Sequence, residues 1–228
     1  MSRLELACFT PASALTAQAA GASRIELCTS YAAGGLTPPL STLQTLKSTP
    51  SITIPIFVMI RPRAGDFVYS APEFAQMRDE VAAFMALETG SGPDGFVFGI
   101  LTPEDRVDGE RCRDLVGLAG GRPCTFHRAI DEVGEFWEGV EAVVGCGFRA
   151  VLTSGRGRDA VGGVEVLEEL KRRVAGKLEV VVGGGVRRGN VRGLREGVGE
   201  GWYHSAAIVG DEEEADEGEA RALVEALR

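Results

Sequence analysis

The sequence is poor in the residues that most often announce a function. It holds two His, two Trp and three Tyr, and aromatic residues make up 7% of it. Its five Cys show no C-x-x-C spacing, and an odd number cannot pair completely within one chain. In a chain of this length they read as reduced thiols rather than a disulfide framework. No apolar run approaches the roughly 18 residues that a spanning helix needs. The best candidate, Ile52–Ile60, is broken by Pro55 and followed by Arg61. Basic residues are outnumbered, 24 Lys and Arg against 33 Asp and Glu, for a net charge of −9. That balance excludes broad binding to nucleic acid or to anionic membranes, which requires a basic face. The opening MSRLELACFTPASAL lacks the basic start and apolar core of a secretory signal, so a cytoplasmic location is expected. No G-x-G-x-x-G follows the first strand-like run, which weighs against an open dinucleotide-binding sheet.

Glycine and a regular alternation are what the chain does have. Gly accounts for 31 of 228 residues, roughly twice the usual share of about 7%. The 44% apolar content is that of a chain with a core, not of a disordered one. Strand-like runs lie near residues 3–8, 24–27, 55–60, 95–100, 123–127, 150–153, 178–182 and 202–205. Helical periodicity fills the intervals near 12–20, 40–48, 72–88, 108–118, 135–145, 164–175 and 187–196, with a last segment near 213–227. Eight strand–helix units of about 28 residues each fit a closed (β/α)8 TIM barrel, with parallel strands and outer helices, better than a doubly wound sheet. One domain over 1–228 is expected, its acidic segment 211–228 forming the last helix. That segment holds eight acids and two Arg, so most of the net charge belongs to it. Its run Asp211–Glu219 reads as a solvated helix start without chemistry.

Several strands carry polar residues inside them. In Leu4-Glu5-Leu6 and Ile25-Glu26-Leu27-Cys28, alternation turns the aliphatics toward the helices and Glu5, Glu26 and Cys28 into the barrel. Thr125 and His127 share the inner face of strand 5, and Trp202 and His204 that of strand 8. Inward carboxylates are costly unless paired or near the wet rim.

Four constellations follow. Arg61, Arg63 and Asp66 in IRPRAGDF, at the tip of strand 3, suit clamping an anion, or pairing with Glu5 and Glu26. His127 in TFHRAID reads as a proton donor or acceptor, or as a hydrogen-bonded structural residue. Ser154 after strand 6, Gly183–Gly184–Gly185 after strand 7, and His204 and Ser205 ending strand 8 form late loops. Such loops expose backbone N–H groups to an anion, although triple Gly also simply permits a tight turn. Cys8 and Cys28 end neighbouring strands, with Met59 a further soft group nearby. They read as buried inert thiols, or as ligands for a soft ion such as Cu(I) or Zn(II).

Taken in order, LELAC (4–8), GASRIELC (21–28), GGLTP (34–38), IPIFVMIRPRAGDFVYS (54–70), TFHRAID (125–131), VLTSG (151–155), GGGV (183–186) and HSA (204–206) resemble the CutC family of copper homeostasis proteins. The resemblance implies a TIM barrel, a cytosolic location, a homo-oligomer and copper as the bound ion. It implies that Cys28 corresponds to the family's second thiol, a Cu(I) ligand. The first thiol of relatives falls where this chain has Ala7, and Cys8 comes one place later, a step that turns a side chain to the opposite face.

Two functions are therefore expected to compete. In one, the protein binds Cu(I) through Cys28, with Cys8 as the second metal ligand. In the other, it is an enzyme for a small anionic or phosphorylated metabolite. Arg61, Arg63 and the late loops would then hold the anion, with Glu26, His127 and Asp66 as the acid–base groups.

Overall fold

A computed structural model describes residues 1–210 and 213–228. The elements alternate without exception: β1 (Arg3–Cys8), α1 (Pro11–Ala20), β2 (Arg24–Leu27), α2 (Leu40–Lys47), β3 (Ile56–Met59), α3 (Ala71–Met85), β4 (Gly95–Phe98) and α4 (Gly109–Leu118). The second half continues with β5 (Cys124–Phe126), α5 (Phe136–Gly145), β6 (Ala150–Thr153), α6 (Val164–Arg173), β7 (Glu179–Val182), α7 (Val191–Val198), β8 (Trp202–Ser205) and α8 (Glu217–Leu227). Each strand pairs in parallel with the next, and β8 closes onto β1 with Glu5 beside His204. The fold is the expected (β/α)8 barrel. No helix among the described residues is long and apolar enough to cross a membrane.

Local chemistry sets the element boundaries. Thr10 accepts the Ser13 N–H to start α1, Pro11 stands in its first turn, and Gly21 closes it with φ of 84°. A reciprocal capping box between Ser70 and Glu73 starts α3. Two boundaries differ from expectation. Helix α7 begins at Val191 rather than near Arg187, because the Asn190 side chain accepts the Arg187 N–H and donates to the Gly185 carbonyl. That turn occupies the residues a helix would have used. Helix α8 begins only after Asp216, whose side chain accepts the Glu219 N–H.

The acidic run is exposed, as expected, at Glu213, Glu214, Asp216 and Glu217, with Glu219 the exception. Asp211 and Glu212 lie outside the described residues. Glu213 accepts the Tyr31 N–H, and Glu219 is buried, accepting the Arg188 N–H and pairing with its guanidinium at 3.2 Å.

Alternation divides the core in two. Leu4, Leu6, Ile25, Leu27, Val58 and Phe126 pack outward against the helices. The lumen holds Phe57, Met59, Val97 and Cys28 on one side and Ala150, Leu152, Val181 and Trp202 on the other. Arg24 lies between them, its guanidinium 4.2 Å from the Phe57 ring centroid and 4.1 Å from that of Trp202. The lumen is tight here: a Cβ on Gly95 would lie 2.6 Å from both the Phe57 ring and the Pro123 carbonyl oxygen.

Candidate functional site

Three lumen strands bring four charged groups together above this plug. Arg24 and Glu26 on β2 and Cys28 just after it fall on one face, as do Glu5 and Ala7 on β1. Arg24 Nε donates to Glu5 Oε2 at 2.5 Å, and His204 Nδ1 meets Glu5 Oε1 at 2.8 Å. The other His204 nitrogen, Nε2, faces Glu26 Oε2 at 3.7 Å, and Cys28 Sγ donates to that same oxygen at 3.7 Å. Glu5, Glu26 and His204 thus offer donor atoms within 4.8 Å of one another.

Burial acts on these groups unequally. Burial alone would raise the Glu5 pKa, but Arg24 and His204 hold its carboxyl down at about 2. Glu26 has no such guanidinium contact; burial, with the Glu5 charge adding to it, lifts Glu26 to about 7 against the pull of His204. Burial disfavours charge on His204, yet the two carboxylates outweigh it and raise its pKa. The result is an imidazole whose charged form the carboxylates favour, anchored on an ionised Glu5 and facing a carboxyl lifted to about 7.

This cluster forms one wall of a rim cavity of about 260 Å³. Cys28 and Met59 form another part: a Cβ on Gly35 would lie 3.4 Å from Cys28 Sγ and 3.8 Å from Met59 Cε. Arg61, His127, Arg187, Gly184, Gly185 and Ser205 also line it, with Arg128 beside Gly184. Arg61 is buried, and its Nη1 donates to the carbonyls of Ala33, Gly34 and Gly35 while Nη2 donates to Gly65. His127 Nδ1 accepts the Ala129 N–H, which leaves the ring proton of the neutral form on Nε2. Burial and the nearby Arg61 charge depress His127 to about 3, so the ring is neutral at physiological pH.

The expected site residues therefore separate into two groups. Glu26, Cys28, Arg61, His127, Gly184, Gly185, His204 and Ser205 line one cavity. The others face elsewhere. Cys8 continues the outward row of Leu4 and Leu6 and packs in the helix-side core, so Ala7, not Cys8, reaches the cavity. Arg63 pairs with Asp66 at 2.7 Å and with Glu73 at 2.6 Å on the outer surface, where the Asp66 side chain is 67% exposed. Neither Arg63 nor Asp66 lines the cavity. Gly183 lies under the rim, where a Cβ would meet Leu152 at 2.5 Å. Ser154 is tied to Asp131, Arg128 and the Gly157 carbonyl. Arg61 pairs with neither Glu5 nor Glu26. His204, expected on an anion, is committed to two carboxylates instead.

Arg24 and Arg187 are the site residues that no sequence motif singled out. Arg24 was legible, since it stands two places before Glu26 and must share its face. Arg187 donates to the Val186 carbonyl and Ser205 Oγ, a contact between two loops with no local signature.

The sequence matches the CutC family over residues 2–209. The chain belongs to the CutC family. A copper homeostasis protein cutC homolog of Mus musculus is 40% identical over 195 residues, covering 86% of this chain and 70% of the mouse protein. A family protein CutC of Xanthomonas axonopodis pv. citri is 40% identical over 204 residues, covering 90% and 82% of the two chains. The crystal structure of CutC from Streptococcus agalactiae is similar at a TM-score of 0.83 and 27% identity, covering 92% of this chain and 100% of that one. Within this CutC chain, both faces of the site come from segments inside the matched region.

Proposed function

We propose that this CutC protein serves copper homeostasis in the cytoplasm by carrying Cu(I) on Cys28 at the rim cavity. The observation that supports this most directly is the position of Cys28. It is the thiol that lines the cavity, beside Met59 and at the start of a chain of donors running through Glu26 to His204 Nε2. Thiolate and thioether are the ligands that select Cu(I) over harder ions, and an imidazole is compatible with it. The relatives named for copper homeostasis support the same reading.

The surroundings also determine how copper would enter. Burial and the Glu26 charge push the Cys28 pKa well above its ordinary value. The thiol must therefore lose its proton as the ion binds, and Glu26 Oε2, already accepting the S–H, is the group placed to receive it. Loading is coupled to proton release and weakens as pH falls. With Cys8 facing the helices, one thiol serves the ion, an arrangement for a site that passes copper on.

A competition titration against a Cu(I) chelator under reducing conditions tests this reading. Cys28→Ser is expected to lower the affinity at least about tenfold, a loss of about 1.4 kcal/mol. Unchanged affinity in the folded variant would remove copper carriage from this cavity.

A further inference from the structure

We propose that the same cavity also binds a small organic anion, whose carboxylate or phosphate group is held by Arg61 and His127 with Arg187 assisting. The inference goes beyond copper carriage and does not rest on it, because none of these three groups is a soft ligand.

Arg61 carries the argument. Its side chain is buried at 7% exposure and lines the cavity, yet it has no carboxylate within ion-pair distance among the described residues. Four backbone carbonyls take its Nη hydrogens, and Nε has no partner. Carbonyl dipoles satisfy hydrogen bonds without neutralising charge, and a buried guanidinium without a counter-ion is costly. The other buried arginine among the described residues, Arg24, has its counter-ion within the chain, Glu5.

His127 adds a second unpartnered donor to the lining of the same cavity. It is 4% exposed, and with Nδ1 accepting from Ala129 its Nε2 is the N–H donor, again without an acceptor among the described residues. An Arg and a neutral His donor, both more than nine-tenths buried on one cavity wall, are complementary to an oxyanion. Arg187 lines the cavity with a guanidinium bonded to a carbonyl and a hydroxyl, not to a carboxylate. Gly184, with φ of 98°, brings backbone close beside the Arg128 guanidinium. The cavity volume of about 260 Å³ is below the range of about 300–1,000 Å³ for drug-sized ligands, so the ligand is a small metabolite.

Thermal unfolding of the metal-free, reduced full chain tests the site, with inorganic phosphate and malonate as probes at constant ionic strength. At least one probe is expected to raise the unfolding midpoint saturably. A response to phosphate alone identifies a phosphorylated ligand, and a response to malonate alone a carboxylate. Arg187→Met and His127→Asn are each expected to weaken the apparent affinity about tenfold, the worth of one charge-assisted or buried hydrogen bond. Arg61→Gln joins them if it folds, since four loop carbonyls depend on Arg61. The proposal is overturned if neither probe gives a saturable response in the wild-type protein. It is equally overturned if both Arg187→Met and His127→Asn, shown folded by their own transitions, respond as the wild type does. Metal-free protein makes either outcome independent of whether Cys28 carries copper.

Discussion

Glu5 and His204, 199 residues apart in the chain, meet at 2.8 Å where β8 closes onto β1. Closure of the barrel therefore creates the central ion cluster. Arg24, on the other neighbour of β1, completes the neutralisation of Glu5 at 2.5 Å.

Removing one partner from that buried cluster should be severe. Arg24→Met is expected to destabilise the protein by about 3 kcal/mol in urea unfolding, because the buried Glu5 loses its guanidinium and keeps only His204 as a partner. The double variant Arg24→Met/Glu5→Gln, which removes both charges, is expected to recover a large part of that loss. A double variant no more stable than Arg24→Met would show that packing between Phe57 and Trp202, not charge, accounts for the effect.

His127 makes stability depend on pH. Its folded pKa of about 3 lies below the unfolded value of 6.5, so the unfolded chain binds the extra proton. Its contribution to stability is fully present above pH 6.5, and is lost progressively as pH falls toward 3. The raised His204 pKa acts in the opposite sense, so the His127 contribution is isolated by substitution. Between pH 7 and 5, wild type is expected to lose about 2 kcal/mol relative to His127→Asn. Parallel pH profiles for the two proteins would contradict the buried neutral imidazole.

Cys8 separates geometry from family expectation. Because its side chain packs against the helices, Cys8→Ala is expected to retain the wild-type Cu(I) affinity in the chelator competition, with at most a modest loss of stability from the smaller core residue. A loss of affinity matching that of Cys28→Ser would mean that the strand end rearranges to present both thiols.

Asp66 and Arg63 form a surface pair at the foot of α3. Asp66→Asn is therefore expected to leave both the copper titration and the anion-induced thermal shift unchanged. A shift in either would place the loop over the cavity during binding.

Much of this architecture is legible along the chain because it depends on local periodicity. The alternation of Leu4-Glu5-Leu6 and Ile25-Glu26-Leu27 assigns each residue to the lumen or to the helices, and barrel closure preserves that assignment. The same rule places Cys28 inside and Cys8 outside. It also makes Arg24 a lumen residue two places before Glu26. Loop residues were less legible, since chain spacing says nothing about which way a turn projects. Arg61 and Arg63 are two residues apart, but one is buried in the cavity wall and the other lies on the surface.

Sequence periodicity is enough to specify eight βα units and the inward row of Glu5, Arg24, Glu26 and Cys28, and the presence of only two His narrows the candidates for an imidazole. The partnerships among those residues belong to the closed barrel. Pairing of β1 with β2 gives Glu5 its Arg24, joining β8 to β1 adds His204, and the loops after β2 and β3 surround Arg61 with carbonyls and, among the described residues, no carboxylate. Such pairings depend on distances of a few ångströms between segments far apart in the chain, and Coulomb and desolvation energies change steeply over that range.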